Sequence, residues 1–159
     1  MKTPALVVAL FAILAIAAAP PYTAKCVRVH DGDTITVRVA GSVVDRTIRL
    51  AEIDAPELKQ PGGKESQAEL SRLVLNRQVV IEPQTTDRYN RTVGQVLIKL
   101  PNSRQWINAQ MVRDGHAWQY KQYSKSPELA KLEAEARKKK RGLWATGDAQ
   151  PPWEYRKRK

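Results

Sequence analysis

Between residues 27 and 39 the apolar side chains fall on every second position, at Val27 and Val29 and then at Ile35, Val37 and Val39, with His30-Asp31-Gly32-Asp33 breaking the run. A period of two belongs to an extended chain with one buried face, and an Asp-Gly pair between two such runs is a hairpin signal. The chain is thereby committed to antiparallel pairing near its start. Gly41 marks the next turn, and a third strand is expected over residues 43–53, with Ile48 and Leu50 on one face and Arg49 on the other. After Pro61-Gly62-Gly63 the period changes: Leu70, Leu73 and Val74 predict an amphipathic helix over residues 64–76. Residues 79–82 and 92–100 return to β-branched composition around a polar loop, 83–91.

Two helices should close the chain. One, over residues 107–114, is stopped by Gly115. The other, over residues 127–141, has Ser126 as N-cap, Pro127 at its first position, Glu133 four residues before Arg137 and Gly142 beyond its end. Leu129, Leu132 and Ala136 form its core stripe. Five strands with a helix between the third and fourth fit a mainly β fold with α, a five-stranded Greek-key barrel of the OB type with about three helices. No internal repeat is present.

A chain of 159 residues with 42% apolar and 27% charged residues suits one such domain. Residues 2–19 read as an export signal, with Lys2, an apolar run from Ala5 and small residues Ala17, Ala18 and Ala19 at its end. That run is shorter than the stretch of about 20 residues a spanning helix needs. The expected organisation is a signal peptide or N-terminal anchor over residues 1–24, a folded domain over 25–145 and a basic tail over 146–159. The protein is then exported, to a periplasmic or extracellular location, or tethered if the segment stays uncut before Pro20. Cys26 stands alone, so no intramolecular disulfide forms and no Cys/His zinc spacing exists; it reads as a small core or strand-edge residue.

Three clusters join carboxylates to arginines, all at loops or strand ends. The first is Asp31-Gly32-Asp33-Thr34. It is not an EF-hand loop, since Ile35 and Ser42 stand where acidic or amide ligands belong. The second runs from Ile48 to Glu57, with Asp54 and Glu57 flanking an Ala-Pro bend and Arg49 facing away from the core. The third is Asp87-Arg88-Tyr89-Asn90-Arg91, in which Asn90 suits a left-handed turn. Each alone reads equally as a polar turn. Together they supply what phosphodiester hydrolysis needs: oxygen ligands for a hard cation (Asp33, Asp54), a carboxylate that can hold a water (Glu57) and two planar forks for one phosphate (Arg49, Arg91). His30 and His116 have no partner nucleophile at recognisable spacing, and His30 reads as a strand residue beside this site. Trp118 and Trp144 read as core residues.

In their order the motifs Asp-Gly-Asp-Thr, Ile-Arg-Leu-x-x-Ile-Asp-Ala-Pro-Glu, Asp-Arg-Tyr-Asn-Arg and Lys-Lys-Arg-Gly-Leu-Trp make the chain resemble the staphylococcal nuclease family over about residues 27–145. The resemblance implies an OB barrel and calcium-dependent cleavage of DNA and RNA on the 5′ side of the phosphodiester, leaving 3′-phosphates. It maps Asp33 and Asp54 onto calcium-binding aspartates and Ala55 onto the position that offers its backbone carbonyl. Arg49, Glu57 and Arg91 fall on the catalytic trio. Glu57 is then the general base or the residue that positions water, and the arginines neutralise the phosphate, Arg91 also assisting the leaving group. Ala55 replaces a threonine of the best-known member and Asn90 a glycine. Arg88, Tyr89 and Tyr123 match positions near the nucleotide, with Tyr120 a competing match. The ligand chemistry alone also admits magnesium.

A noncatalytic nucleic-acid-binding module is the rival reading, and it conflicts with the presence of the full catalytic set. A basic membrane-surface protein would have no use for paired arginines near paired carboxylates. No obligate protein partner is expected, and the protein should be a monomer. The net charge of +11 points to a polyanion, and nine Lys or Arg against Asp148 and Glu154 lie in residues 137–159. Arg137 to Arg141 suit a helix end. Arg156-Lys157-Arg158-Lys159 reads as a flexible arm adding nonspecific affinity. Deleting residues 154–159 should therefore flatten the dependence of log Kd on log salt, and an unchanged slope would count against the arm.

Overall fold

The computed structural model describes residues 19–158, so most of the expected export segment lies outside the described residues. Among the described residues no helix is long and apolar enough to cross a membrane. The first hairpin forms where alternation places it: β1 (Tyr22–Val29) and β2 (Thr34–Arg38) pair antiparallel, with Val29 opposite Ile35. β3 (Asp45–Leu50) follows on the far side of β2, and β4 (Ile53–Asp54) is a two-residue strand after a turn at Ala51-Glu52. α1 (Gly63–Val74) then leads to β5 (Gln78–Thr86), β6 (Thr92–Leu100) and β7 (Ser103–Trp106). After α2 (Ile107–Arg113) come β8 (Trp118–Gln119), α3 (Pro127–Lys138) and α4 (Pro152–Lys157).

The main sheet runs β3-β2-β1-β5-β6-β7, and a parallel pairing of β3 with β6 closes its first five strands into a barrel. With α1 between the third and fourth barrel strands, this is the expected OB-type α+β fold. β7 only extends β6 as a hairpin, and β4 pairs with β8 outside the main sheet. Strands as short as β4 and β8 give no alternation to read. The core fills the barrel with side chains from alternate positions, Ile35 and Val37 on β2, Ile48 and Leu50 on β3, and Ile81, Val96 and Ile98 beyond them, capped by Leu70 of α1 and Met111 of α2. Fully burying each such side chain contributes about 1.5–3 kcal/mol.

Gly32 is needed for space rather than for a left-handed turn. A Cβ there would lie 2.6 Å from Ala55 Cβ and 2.7 Å from Ser66 Cβ, so the Asp-Gly-Asp loop is pressed against both the β4 exit and α1. Asn90, by contrast, does take the left-handed conformation, with φ of 60°. β5 continues to Thr86, past the boundary expected at residue 82, because a bulge between Pro83 and Thr85 absorbs the missing proline N–H. α3 ends at Lys138, three residues early, where the chain turns left-handed at Lys140 and Gly142.

The C-terminus differs most from expectation. Residues 152–157 form a short helix that takes in Arg156 and Lys157, the first half of the expected flexible arm. They are held by a second apolar cluster in which Trp118 and Trp144 meet edge-to-face at 4.9 Å and Trp153, Leu143 and Ala149 pack around them. Both tryptophans are thus core residues, and Arg137 caps Trp144 with its guanidinium 3.8 Å from the ring centroid. Pro151-Pro152 ahead of the aromatic pair Trp153 and Tyr155 was a helix-start signal in its own right.

Cys26 is fully buried in β1, and burial pushes its thiol up to about 11. It should therefore resist alkylation at pH 8 in the folded protein and react at once in urea, as read by mass spectrometry; ready labelling of the native state would contradict its placement.

Candidate active site

Three carboxylates and two arginines meet where the β1–β2 loop, the end of β3, β4 with the bend after it, and α4 come together. The local chain geometry explains how. Leu50 N–H bonds to Asp33 O at 2.8 Å and Ala51 N–H to Gly94 O at 2.8 Å, which ties the loop and β6 to the end of β3. Asn108, fully buried, locks this crossing: its Oδ1 accepts from Val96 N–H at 2.9 Å and its Nδ2 donates to Ala51 O at 2.9 Å. Glu52 then adopts a left-handed φ of 66°, turning the chain so that Asp54 pairs with Trp118 of β8. Gln95 and Ser124 hold the Glu52 carboxylate at 2.7 and 3.0 Å.

Arg49 is the hub. Its Nη1 donates to Leu50 O at 2.7 Å and Ile53 O at 2.9 Å, while Nη2 lies 3.0 Å from Asp54 Oδ1 and 3.1 Å from Asp33 Oδ2. Asp33 Oδ2 also accepts from Ala55 N–H at 2.6 Å, so Ala55 reaches Asp33 through its amide. Both aspartates are buried, at 5% and 1% exposure. Burial raises both their pKa values; Arg49 pulls Asp33 back and Arg156 pulls Asp54 back, while the charge of Asp31 raises Asp33 further and that of Asp33 raises Asp54.

Sequence reasoning missed the other cation. Arg156 of α4 donates through Nη2 to Asp54 Oδ2 at 2.7 Å and through Nη1 to Asp54 Oδ1 at 3.2 Å and Glu57 Oε1 at 3.0 Å. Asp33, Asp54, Arg49 and Glu57 are thus in one network, as the motifs suggested, but the link from Asp54 to Glu57 runs through a residue assigned to a loose tail. Sequence separation of about a hundred residues hid it.

Arg91 is not in this network. Its Nε donates to Asp87 Oδ2 at 2.8 Å and its guanidinium lies 5.3 Å from the centroid of the Tyr89 ring, which Arg88 also approaches, at 4.9 Å. The backbone nevertheless carries it to the rim, because the next residue, Thr92, pairs with Ile48 on β3. The expected pair of arginine forks facing each other is therefore not formed in this conformation; the Asp87 carboxylate, which also accepts from the N–H groups of Tyr89 and Arg91 within the turn, competes for one fork. Tyr120 and Tyr123 meet edge-to-face at 4.9 Å on another wall, with Trp153 stacked on Tyr120 at 5.6 Å. Tyr89 and Tyr123 are both largely exposed. His30 stands at the start of the β1–β2 loop rather than in a strand, with Nε2 2.7 Å from Thr36 Oγ1.

No three acidic, histidine or cysteine side chains gather into a cage among the described residues. The donor set nonetheless fits a hard cation. Asp33, Asp54 and Glu57 bring three negative charges against two guanidinium groups, and a carboxylate has about four lone-pair sites, so each aspartate retains room for one more partner. Two carboxylates plus carbonyl and water oxygens are an ordinary ligand set for calcium or magnesium.

A barrel presenting buried carboxylates and arginines at one rim has the groups that phosphodiester hydrolysis uses. The comparison with known proteins narrows this. The family model described as staphylococcal nuclease homologue matches residues 47–146, and the chain belongs to that family. It is 36% identical over 160 residues to a micrococcal nuclease of Shigella flexneri, covering 96% of this chain and 91% of that protein. It is 45% identical over 135 residues to an uncharacterized endonuclease of Escherichia coli O157:H7, covering 85% of each. An uncharacterized endonuclease of Haemophilus influenzae is 37% identical over 148 residues, covering 93% of this chain and 80% of that protein.

Replacing Arg49 by Ala leaves Asp33 and Asp54 buried without their shared guanidinium and frees two carbonyls. The variant should lose about 3 kcal/mol of stability at neutral pH in urea denaturation with chelator, part of it regained on adding calcium. An unchanged midpoint would show that Arg49 does not hold the site together.

Proposed function

We propose that the protein is a calcium-dependent endonuclease that hydrolyses phosphodiester bonds of nucleic acid, DNA or RNA or both. The observation that carries this reading is the single network joining Asp33, Arg49, Asp54 and Glu57 at a barrel rim, in a chain of this family. Asp33 and Asp54 would hold the cation, with the carbonyl of Ala55 as a further oxygen. Held by these oxygens, a cation would supply Lewis acidity toward the phosphate. The preference for calcium rests on the family; the oxygen ligands would also take magnesium.

Each side chain then has a defined task. One Glu57 oxygen is engaged by Arg156, and the other takes the proton of the attacking water or orients it. Arg49 is fixed by two carbonyls and two carboxylates, so it acts as a preorganised positive charge facing the developing phosphorane. Arg91 binds the phosphate with its Nη groups and sits beside the leaving oxygen. That requires it to swing from Asp87, a side-chain motion on an exposed loop. Arg88 and Tyr89 on one wall and Tyr120 and Tyr123 on the other contact the flanking nucleotides, since exposed aromatic faces stack on any base.

One chain provides every residue of this site, in keeping with a monomer that needs no protein partner. Export is proposed from the apolar segment that precedes residue 20 and ends in small residues.

The deciding assay follows cleavage of single- and double-stranded DNA and of RNA with calcium, magnesium or chelator. Wild-type protein should cut with calcium and not with chelator, and Glu57→Ala should lower kcat by about a hundredfold to ten-thousandfold. Binding of nucleic acid without any cleavage would leave only a noncatalytic module.

A further inference from the structure

Glu57 has a side chain 38% exposed, on a bend after Pro56, and a glutamate so placed samples several rotamers in water. Its carboxylate is held at one point, by Arg156 Nη1 at 3.0 Å, and the same guanidinium spans both oxygens of the nearly inaccessible Asp54 at 2.7 and 3.2 Å. The fork thus measures out the separation between the two carboxylates. This does not happen by chance on a loose surface. Trp153, one turn before Arg156, stacks on Tyr120 with the ring planes 5° apart, and Pro152 is buried. Gln60 Nε2 donates to Gln150 O at 2.6 Å, Gln60 Oε1 accepts from Glu57 N–H at 3.2 Å, and Tyr155 Oη donates to Lys59 O at 3.3 Å. The segment from Glu57 to Gln60 and helix α4 therefore clasp each other from both sides.

We propose that Arg156 is a positioning residue of the active site, one that fixes Glu57 at a set distance and angle from Asp54. This rests on the nuclease reading above. A planar guanidinium is suited to the task because its N–H groups diverge at fixed angles, and a Lys in its place would supply a point charge without the span. The bonds to Asp54 leave a lone pair on that carboxylate, so the fork and a cation can share it. Misplacing a reacting group by about 1 Å can cost a hundredfold in rate.

The test uses the full chain with Arg156→Ala, Arg156→Lys and, as a variant that undocks α4 without touching the carboxylates, Trp153→Ala. At saturating calcium on single-stranded DNA, Arg156→Ala should lower kcat about ten- to a hundredfold with KM changed less than about threefold. Arg156→Lys should recover part of that loss, and Trp153→Ala should fall with Arg156→Ala. Calorimetric titration of calcium into Arg156→Ala, with no nucleic acid present, should show affinity raised about tenfold, because a positive charge beside Asp54 is gone. Unchanged calcium affinity would mean that the guanidinium is not at Asp54. Tighter calcium binding with kcat undiminished would make Arg156 a mere competitor of the cation, and a loss confined to KM would make it a substrate contact; any of these overturns the proposal. Wild-type protein that cut nothing would instead sink the nuclease reading, recognisable because the calorimetric shift would persist.

Discussion

Two aspartates buried at one end of a barrel would repel each other and resist ionising; Arg49 makes their proximity tolerable. Its guanidinium touches both carboxylates and two carbonyls of its own strand's exit turn, and so binds the electrostatics of the site to the path of the backbone. Much else in the structure serves that arrangement. The left-handed Glu52 lets the chain turn within two residues, Asn108 satisfies the backbone groups left over at the crossing, and Gly32 lets the Asp-Gly-Asp loop approach without a steric barrier. A buried ion cluster of this kind contributes little net stability compared with an apolar replacement. Its presence at the rim is better understood as a prepared seat for charge.

The barrel was legible in the sequence because its strands are long enough to alternate and half-buried enough to need to. Ile35, Val37, Ile48 and Leu50 point inward because a one-residue slip would put all of them in water. The first helix and the long helix from Pro127 were marked by period and by caps, and Ser126 does cap, its Oγ accepting from Leu129 N–H at 3.2 Å. What escaped was short or nonlocal. β4 and β8 are two residues each, and their pairing depends on a left-handed glutamate that no propensity scale would favour.

The site was legible in part for a similar reason. Asp33, Arg49, Asp54 and Glu57 sit in compact motifs near one another in the chain, and the fold brings them into one network. Arg91 lies in an equally clear motif, yet its side chain is held by Asp87 four residues away, a local partner that outcompetes a more distant site. Arg156 was hidden by its setting. In a run of four basic residues each looks interchangeable, and only the helical phase set by Pro152 and Trp153 singles out Arg156 to reach Asp54 and Glu57.

The docking of α4 bears on where this protein ends as a working unit. The family match closes at residue 146 and opens at 47, so it omits the loop that carries Asp33 as well as the helix that carries Arg156. An expression fragment trimmed to those limits would keep the most recognisable motifs while losing two of the barrel's five strands and the outer clasp on Glu57. The same clasp makes α4 sensitive to whatever is joined behind it: a bulky group attached close after Lys157 would pull on the short helix that braces the rim.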